Sequence, residues 1–287
     1  MHLVDTHCHL NHPPLCDDTD GVLERATAVG VTRIVVPAYD TPCWDDLSRL
    51  AMRPGVAMAL GLHPWLAHDL PGQVARLDGP LFDGGPAVTA ATLDPDTALD
   101  RFIHHLAARA AALRPVAIGE IGLDLKISSS GLPQQLPLLE RQLALAADLD
   151  LPVILHCRGA FEEMLTALGR HGGRLRGVVH AFSRGPDLAA RFVEAGLHIA
   201  LGGAATRGRA QQVRRAAQTV PLDRLLLETD APSIGLEDVA PEQTEPRHVH
   251  DVALAVAALR GRTPAAIASA TTANAVALFG LAGNGSH

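Results

Sequence analysis

The sequence has little lysine and few aromatic residues, and both shortages reduce the range of functions that the protein could have. Lys126 is the only lysine, so 24 basic residues minus 1 leaves 23 arginines, and the formal net charge is −7. A broad nucleic-acid-binding surface usually needs clustered positive charge, which this balance argues against. It does not exclude a nuclease in which metal ions and a few arginines hold the phosphates. Aromatic residues make up only 3% of the chain, which disfavours extensive base stacking.

The sequence also has no cysteine-pair motif and no long apolar run. The four cysteines form no CxxC pair, as is typical of reduced thiols in the cytoplasm. The start carries no basic segment followed by a long apolar run, and no apolar stretch reaches the roughly 18 residues that a membrane span needs. We therefore expect a cytoplasmic protein that does not bind membranes. We also expect a monomer, since no feature indicates an obligate protein partner.

Short apolar runs alternate with amphipathic, alanine- and leucine-rich segments along almost the whole chain. The runs are rich in Val, Ile and Leu, as strands covered on both faces are. The predicted strands are residues 3–5, 33–36, 56–60, 116–119, 153–155, 177–179, 198–201 and 224–227. Eight strand–helix units predict an α/β fold of the (β/α)8 TIM-barrel type, as found in metal-dependent hydrolases, and a doubly wound sheet is the alternative.

We expect one barrel over residues 1–281 and a disordered tail at 282–287. Residues 70–95 are rich in proline and glycine, so we predict an irregular excursion there, followed by a helix over 97–113. A surface insertion is the simpler interpretation of this excursion, and a functional lid is the alternative. Residues 249–259 and 264–278 are predicted to form a closing pair of helices.

The segment Asp-Thr-His-Cys-His, residues 5–9, directly follows an apolar pair. If the strand continues, its period of two places His7 and His9 on one face and Cys8 on the other. Two imidazoles on one face can bind a single metal ion. Ordinary surface or core histidines are the alternative, so the metal interpretation depends on further ligands at matching positions.

Further potential ligands follow the other predicted strands, and barrel enzymes carry their chemistry at these C-terminal strand ends. They are His63, Glu120, Asp124, His156, His180, Glu228 and Asp230. Neutral imidazoles and carboxylates suit divalent ions such as Zn or Mn. Two such ions, about 3.5–4 Å apart and bridged by a carboxylate, form a common hydrolytic centre.

Six ordered motifs resemble the TatD family of metal-dependent hydrolases, the TatD-type deoxyribonucleases. They are DTHCHL (5–10), GLHP (61–64), GEIGLD (119–124), LPVILHCR (151–158), HAFS (180–183) and LETDAP (227–232). The segments TTAN (271–274) and LFG (278–280) are similar to the C-terminal signature of the family. The resemblance covers essentially the whole chain, and it is more specific for the fold and metal site than for the substrate.

The resemblance implies two divalent metal ions, Zn, Mg or Mn, and DNA as the substrate. One ion would be held by His7, His9, Glu120 and Asp230, and the other by Glu120, His156 and His180, with Glu120 bridging. A metal-bridging hydroxide would attack the phosphodiester bond, since such ions lower the pKa of water toward neutrality. Asp230 could accept the proton of that water. Glu120, Asp230 and His63 are accordingly the expected catalytic residues.

Several neighbouring residues have two interpretations each. The resemblance implies that His63 binds substrate phosphate or protonates the leaving group, and a packing histidine before Pro64 is the alternative. Arg158 would face the phosphate or form a salt bridge at the barrel rim. Asp124 would orient a ligand or cap the following loop, and Glu228 is expected to support the ligands from behind.

The sequence departs from the family pattern in two places. Arg184 follows Ser183, where glycine is common in the family. Residues 233–244 lack the basic segment of many members, and the stretch to Glu245 is acidic. The basic loop at residues 207–215 would supply the missing positive charge if it faces the site. A solvated helix face is the alternative interpretation.

Two other functions remain open. One is hydrolysis of a small phosphoester, lactone or amide on the same centre, and the other is a metal-stabilised binding module without turnover.

Overall fold

The computed structural model describes residues 1–78, 93–126 and 131–281. Within these residues eight parallel strands form one sheet in the order β1 to β8. The strands are β1 (Leu3–Asp5), β2 (Val31–Pro37), β3 (Val56–Leu60), β4 (Ala117–Asp124), β5 (Val153–Arg158), β6 (Gly177–Val179), β7 (Leu197–Leu201) and β8 (Leu225–Leu227). Each strand pairs with the next one along the chain, so the alternative prediction of a doubly wound sheet is wrong. The predicted (β/α)8 barrel is confirmed.

The barrel closes just beyond β1 and β8. The backbone N–H of Asp230 donates to the carbonyl of His7 at 2.8 Å, and that of His9 donates to the carbonyl of Ala231 at 2.8 Å. These hydrogen bonds join the exits of the first and last strands. They therefore bring together residues that lie more than 200 positions apart in the sequence.

Helices connect and flank the strands. They are α1 (Thr19–Ala28), α2 (Cys43–Leu50), α3 (Leu70–Asp78), α4 (Pro95–Leu113), α5 (Leu132–Asp148), α6 (Phe161–Gly169), α7 (Pro186–Glu194), α8 (Gln211–Thr219), α9 (Val249–Arg260) and α10 (Pro264–Phe279). In the described ranges, none of these helices combines the length and the apolar character that crossing a membrane requires.

Helix α3 corrects one prediction. Residues 70–78 are helical rather than irregular, because Pro71 and Gly72 fall in the first turn, where a proline costs no hydrogen bond. The buried Val74 packs this helix into the core. The rest of the predicted excursion, residues 79–92, and the predicted tail at 282–287 lie outside the described residues.

One end of the barrel is filled by apolar side chains, one from each strand. They are Val4, Val35, Ala59, Ala117, Ile154, Val178, Ala200 and Leu226, and they pack against Ala275, Leu278 and Phe279 of α10. Asn274 of the same helix donates to the carbonyls of Leu222 and Leu225, which precede or begin β8. Helix α10 therefore closes the N-terminal end and leaves the C-terminal mouth for the polar residues.

Strand alternation places polar side chains above this apolar layer. Residues two apart on a strand point to the same face, so His156 lies above Ile154 and His180 above Val178. Both histidines are buried: His156 lies within β5 and His180 directly follows β6. The mouth of the barrel therefore collects buried imidazoles above the apolar layer.

Candidate metal centre

His7 and His9 lie together at the exit of β1. Their Nε2 atoms are 3.3 Å apart, and both rings are buried. Cys8 points elsewhere, with its Sγ 3.7 Å from the carbonyl of Ala231. A parallel backbone bridge between Cys8 and Ala231, which lies just beyond β8, maintains the extended conformation past Asp5. The two histidines therefore share a face, as the alternation predicts.

The carboxylate of Glu120 lies between two groups of imidazoles. Its Oε2 is 3.3 Å from His7 Nε2 and 3.7 Å from His9 Nε2. Its Oε1 is 2.8 Å from His180 Nε2 and 3.0 Å from His156 Nδ1. Each oxygen of one carboxylate therefore faces a separate pair of ring nitrogens, which is the arrangement that a bridging ligand requires.

Glu120 occupies this position because β4 is irregular at that point. The strand continues to Asp124 rather than ending at residue 119 as predicted, and its register with β5 shifts between Ile118 and Ile121. Such a bulge re-aims a side chain. Gly119 is needed here, since a Cβ would lie 2.6 Å from the Cβ of Ile154.

Asp230 completes the group next to His7 and His9. Its Oδ1 lies 3.5 Å from His9 Nε2 and 3.7 Å from His7 Nε2. Behind it, the buried Asp5 accepts hydrogen bonds from the Thr229 hydroxyl at 2.6 Å, the Thr229 N–H at 2.9 Å and the His7 N–H at 3.3 Å. Asp5 therefore fixes the backbone on both sides of the cluster.

Asp124 and Glu228 support the neighbouring histidines. Asp124 Oδ2 lies 2.9 Å from His156 Nε2, the ring nitrogen that faces away from Glu120. Glu228 accepts a hydrogen bond from the N–H of Ala181, directly after His180. The backbone N–H of Lys126 also donates to Asp124, at 2.6 Å, so Asp124 both orients a ring and caps the following loop.

His63 also lies in this cluster, and its hydrogen bonds fix its protonation. Its Nδ1 accepts from the backbone N–H of Trp65 at 3.2 Å, so the proton of the neutral ring is on Nε2. That Nε2 is 3.3 Å from Glu120 Oε1. A neutral His63 therefore presents an N–H donor at Nε2, the ring nitrogen that faces Glu120.

Burial and mutual charge set the protonation of the cluster. Burial, followed by the charge of His180, lowers the pKa of His7 to about 4. Burial would raise the pKa of Glu120, but the imidazoles of His180, His63 and His7 outweigh it and hold that pKa well below its usual range. Burial lowers the pKa of His156, but hydrogen bonds to Asp124 and Glu120 prevail and raise it to about 9.

These residues fit a divalent cation. Ligand atoms of three overlapping groups lie within 4.8 Å of one another: His7, His9 and Asp230; His7, His180 and Glu228; and His63, Glu120 and His156. The Nε2 atoms of His7 and His9 lie 3.3 Å apart, and each also lies within 3.7 Å of a carboxylate oxygen of both Glu120 and Asp230. A cation shared by nitrogen and carboxylate oxygen ligands would satisfy them.

The cluster opens into a cavity of about 670 Å³ at the C-terminal mouth of the barrel, in the size range of small-ligand sites. His63 and Arg158 both line it, as the predicted substrate contacts should. Arg158 is largely exposed, and its guanidinium lies 3.9 Å from Asp124. Of the four arginines in the basic loop at 207–215, Arg207 is the one that lines this cavity in the described chain.

Several residues that shape the site were not predicted from the sequence. Gln142 of α5 accepts from the N–H of Leu62 at 2.9 Å, and Gln135 of the same helix accepts from the N–H of Asp124 at 2.8 Å. Both glutamines are fully buried and lie seven positions apart on one helix face. The sequence pattern that could have indicated this role is the presence of two polar residues on the otherwise apolar face of α5.

A closed parallel barrel with convergent imidazoles and carboxylates at its mouth defines the class of metal-dependent hydrolases. Comparison with known proteins gives the family. Residues 4–280 match the TatD-related DNase family, and the chain belongs to it.

Two relatives align over nearly their full lengths. An uncharacterized metal-dependent hydrolase, YjjV from Escherichia coli K12, is 35% identical over 97% of this chain and 98% of its own. A protein named 3′-5′ ssDNA/RNA exonuclease TatD, from Erwinia billingiae, is 32% identical over 97% of this chain and 99% of its own. The crystal structure of YjjV has a TM-score of 0.78 and covers 97% of this chain and 98% of its own.

Proposed function

We propose that the chain is a phosphodiesterase that uses two divalent ions, Zn, Mg or Mn, to cleave single-stranded nucleic acid, with DNA as the main substrate. The main observation behind the proposal is the position of the Glu120 carboxylate, whose two oxygens each face a different group of imidazoles. Similarity to relatives named 3′-5′ ssDNA/RNA exonuclease supports the choice of substrate. Residues 1–281 would act as one catalytic unit, as a cytoplasmic monomer.

The proposed ligands form two sets, and Glu120 belongs to both. His7, His9 and Asp230 would hold one ion, and His156 and His180 the other, with Glu120 shared between them. When bound, the ions would neutralise phosphate oxygens and lower the pKa of an attacking water. The six ligand residues would bring four carboxylate or imidazole donors to the first ion and three to the second, because Glu120 contributes to both.

Asp230 is the proposed base. Its carboxylate is buried beside His9 and His7 yet lines the cavity, so it can accept the proton of the attacking water. Burial would raise the pKa of Asp230, but the hydrogen bond to His9 and the nearby imidazoles outweigh it and lower that pKa. The carboxylate is therefore ionised, as a base must be.

His63 is the proposed donor to the leaving group or to a phosphate oxygen. Burial lowers its pKa, although Glu120 opposes the shift. The ring is therefore a neutral donor through Nε2 rather than an imidazolium acid. Arg158, at the rim of the same cavity, is proposed to contact the substrate phosphate.

The test uses metal-loaded protein and a single-stranded oligonucleotide labelled at its 5′ end, beside duplex DNA, RNA and a panel of small phosphoesters, lactones and amides. Progressive shortening from the 3′ end is expected. Turnover of a small ester without nucleotide release would instead identify a hydrolase of another bond. Anomalous scattering above and below metal absorption edges would give the number and identity of the ions.

The variant Glu120→Gln separates the enzyme from a binding module without turnover. It should lose metal and at least about a hundredfold of activity, because the shared carboxylate is removed. Glu140→Gln is the matched control, since Glu140 forms a surface ion pair with Arg170. Unchanged metal content together with unchanged activity in Glu120→Gln would refute the proposed centre.

A further inference from the structure

The cavity at the mouth has two chemically different walls. One consists of the rings of His12, Tyr39 and Trp65, which follow β1, β2 and β3. The other consists of Arg158, Arg184 and Arg207, which end or follow β5, β6 and β7. In an eight-stranded barrel with sequential strand order, β2 and β6 lie on opposite sides. The aromatic wall therefore faces the arginine wall across the candidate metal centre.

The arginine wall is held in place but not neutralised. The guanidinium of Arg184 lies 5.0 Å from the ring centroid of Phe161, and Arg207 donates to the carbonyl of Gly235 at 2.6 Å. Neither contact provides a negative charge. In the described ranges, Glu120 and Asp230 are the only carboxylates that line the cavity, and both belong to the proposed metal ligands.

Other surface arginines differ in this respect. Arg191 pairs with Glu162, and Arg174 pairs with Asp148. Of the mouth arginines, Arg158 has a carboxylate at 3.9 Å, whereas Arg184 and Arg207 form no ion pair within the described residues. In a chain with a net charge of −7, unpaired guanidinium groups beside a metal site indicate an anionic ligand.

The aromatic wall is notable because the chain has one tyrosine and two tryptophans. Tyr39 and Trp65 both line the cavity, half-buried, with ring centroids 6.3 Å apart. The indole N–H of Trp65 donates to Asp124 at 2.8 Å, which fixes that ring. The ring of His12 lies 6.2 Å from that of Tyr39 and continues the wall. Partly exposed aromatic rings that line a cavity can stack on nucleobases.

We propose that the two walls form a nucleotide subsite that distinguishes a polynucleotide from a small phosphoester. Arg184 and Arg207 bind a phosphate that neighbours the scissile one, whereas Arg158 contacts the scissile phosphate. Tyr39, with His12 and Trp65, stacks on an adjoining unpaired base. A small ester without a second phosphate or an aromatic ring fills the metal centre but engages neither Arg184 and Arg207 nor Tyr39. This inference rests on the proposed function, and it names the residues that would confer its specificity.

The kinetic test compares kcat/KM on a single-stranded DNA oligonucleotide with kcat/KM on bis(2,2,2-trifluoroethyl) phosphate, which has neither a neighbouring phosphate nor an aromatic ring. The variants are Arg184→Gln, Arg207→Gln and Tyr39→Leu, with Arg174→Gln as the control. The ratio of the two kcat/KM values should fall at least about tenfold in each variant, as expected for loss of a charge-assisted hydrogen bond or a stacked base. In the control the ratio should stay at the wild-type value.

A second readout is independent of turnover. Binding of a fluorescent single-stranded oligonucleotide is measured by anisotropy across a salt series. Each arginine-to-glutamine change should reduce the slope of log K against log salt by about 0.7, the value for one phosphate contact on a single strand. Arg184→Lys should keep the wild-type slope, because it keeps the charge.

The outcomes are distinguishable. If the wild-type protein turns over small esters but neither binds nor cleaves DNA, the proposed function itself is wrong. If it cleaves DNA, and the arginine variants keep both the kcat/KM ratio and the salt slope, the subsite is refuted and the nuclease remains. Parallel losses on both substrates with an unchanged slope would also refute the subsite, since they indicate a structural role.

Discussion

Asp124 Oδ2 lies 2.9 Å from Nε2 of His156, on the side of the ring opposite Glu120. The contact fixes which nitrogen of the ring is directed to the proposed metal site. A carboxylate behind a ligating histidine also makes the imidazole a stronger donor. Asp124 would therefore act on a bound metal ion through His156, although it belongs to none of the three potential ligand groups.

The first prediction concerns this contact. Asp124→Asn should weaken metal binding by about 10- to 100-fold, because it removes the charged acceptor that orients His156. The measurement is calorimetric titration of metal-free protein with Zn²⁺ and Mn²⁺. Asp148→Asn is the control, since that carboxylate is exposed and pairs only with Arg174 in the described structure. Equal affinities of Asp124→Asn and wild type would show that Asp124 merely caps its loop.

The second prediction concerns pH. Hydrogen bonds to Asp124 and Glu120 outweigh burial and raise the pKa of His156 to about 9, whereas burial lowers that of His7 to about 4. In metal-free protein, His156 therefore carries a proton below pH 9 that a cation must displace, and His7 does not. Metal affinity should rise by about tenfold per pH unit from pH 6 toward pH 9 and then level off.

Chelator competition at several pH values measures this dependence, and proton release on binding can be followed in buffers of different ionisation enthalpy. In Asp124→Asn, one cause of the raised pKa is lost, so the plateau should begin at a lower pH. An affinity that is flat between pH 6 and pH 8 in the wild type would contradict the protonation assigned to His156.

The third prediction concerns Asp5. Asp5→Ala leaves the Thr229 hydroxyl and two backbone N–H groups without their buried acceptor. The free energy of unfolding should fall by about 2–4 kcal/mol, since each unsatisfied buried donor costs about 1–3 kcal/mol and partial relaxation recovers some of the loss. Urea denaturation of the metal-free protein measures it. Asp5→Asn keeps one acceptor oxygen and should lose less; a cost below about 0.5 kcal/mol for Asp5→Ala, the range of ordinary surface changes, would contradict this role.

The sequence was sufficient for the barrel and for the convergence of the candidate ligands, for reasons that individual residues illustrate. Ile154 and His156 differ by one strand period, as do Val178 and His180. The alternation of side chains along a strand therefore predicts both the apolar layer at the N-terminal end and the polar site above it. Each strand is short and apolar, and sequential pairing then brings every C-terminal end to the same mouth.

Other positions were not predictable from alternation. Glu120 is out of phase with Ala117, the inward-facing residue of its strand, and it reaches the site through the register shift after Ile118. No local sequence pattern specifies that shift. The helical state of residues 70–78 was missed because proline and glycine in a first turn resemble a loop signal. The contacts of Gln142 and Asp5 depend on partners 80 and 224 positions away.

The last prediction concerns Gln142, which is fully buried. Its amide accepts from the N–H of Leu62 at 2.9 Å and donates to the Leu62 carbonyl at 3.3 Å, directly before His63. Gln142→Leu keeps the volume and leaves both backbone groups unpaired, so it should destabilise the fold by about 2–4 kcal/mol. Because the loop that carries His63 is freed, kcat should also fall, while metal content stays at the wild-type level.

Hydrogen exchange measures the local effect directly. In Gln142→Leu the amide of Leu62 should lose protection, while amides in the middle of β5 keep theirs after correction for global stability. Gln218→Leu is the matched control, because Gln218 is exposed and makes one long hydrogen bond, to the Leu259 carbonyl at 3.3 Å. Retained protection at Leu62 with a wild-type kcat would show that packing alone positions His63, since the glutamine would then be dispensable for the loop.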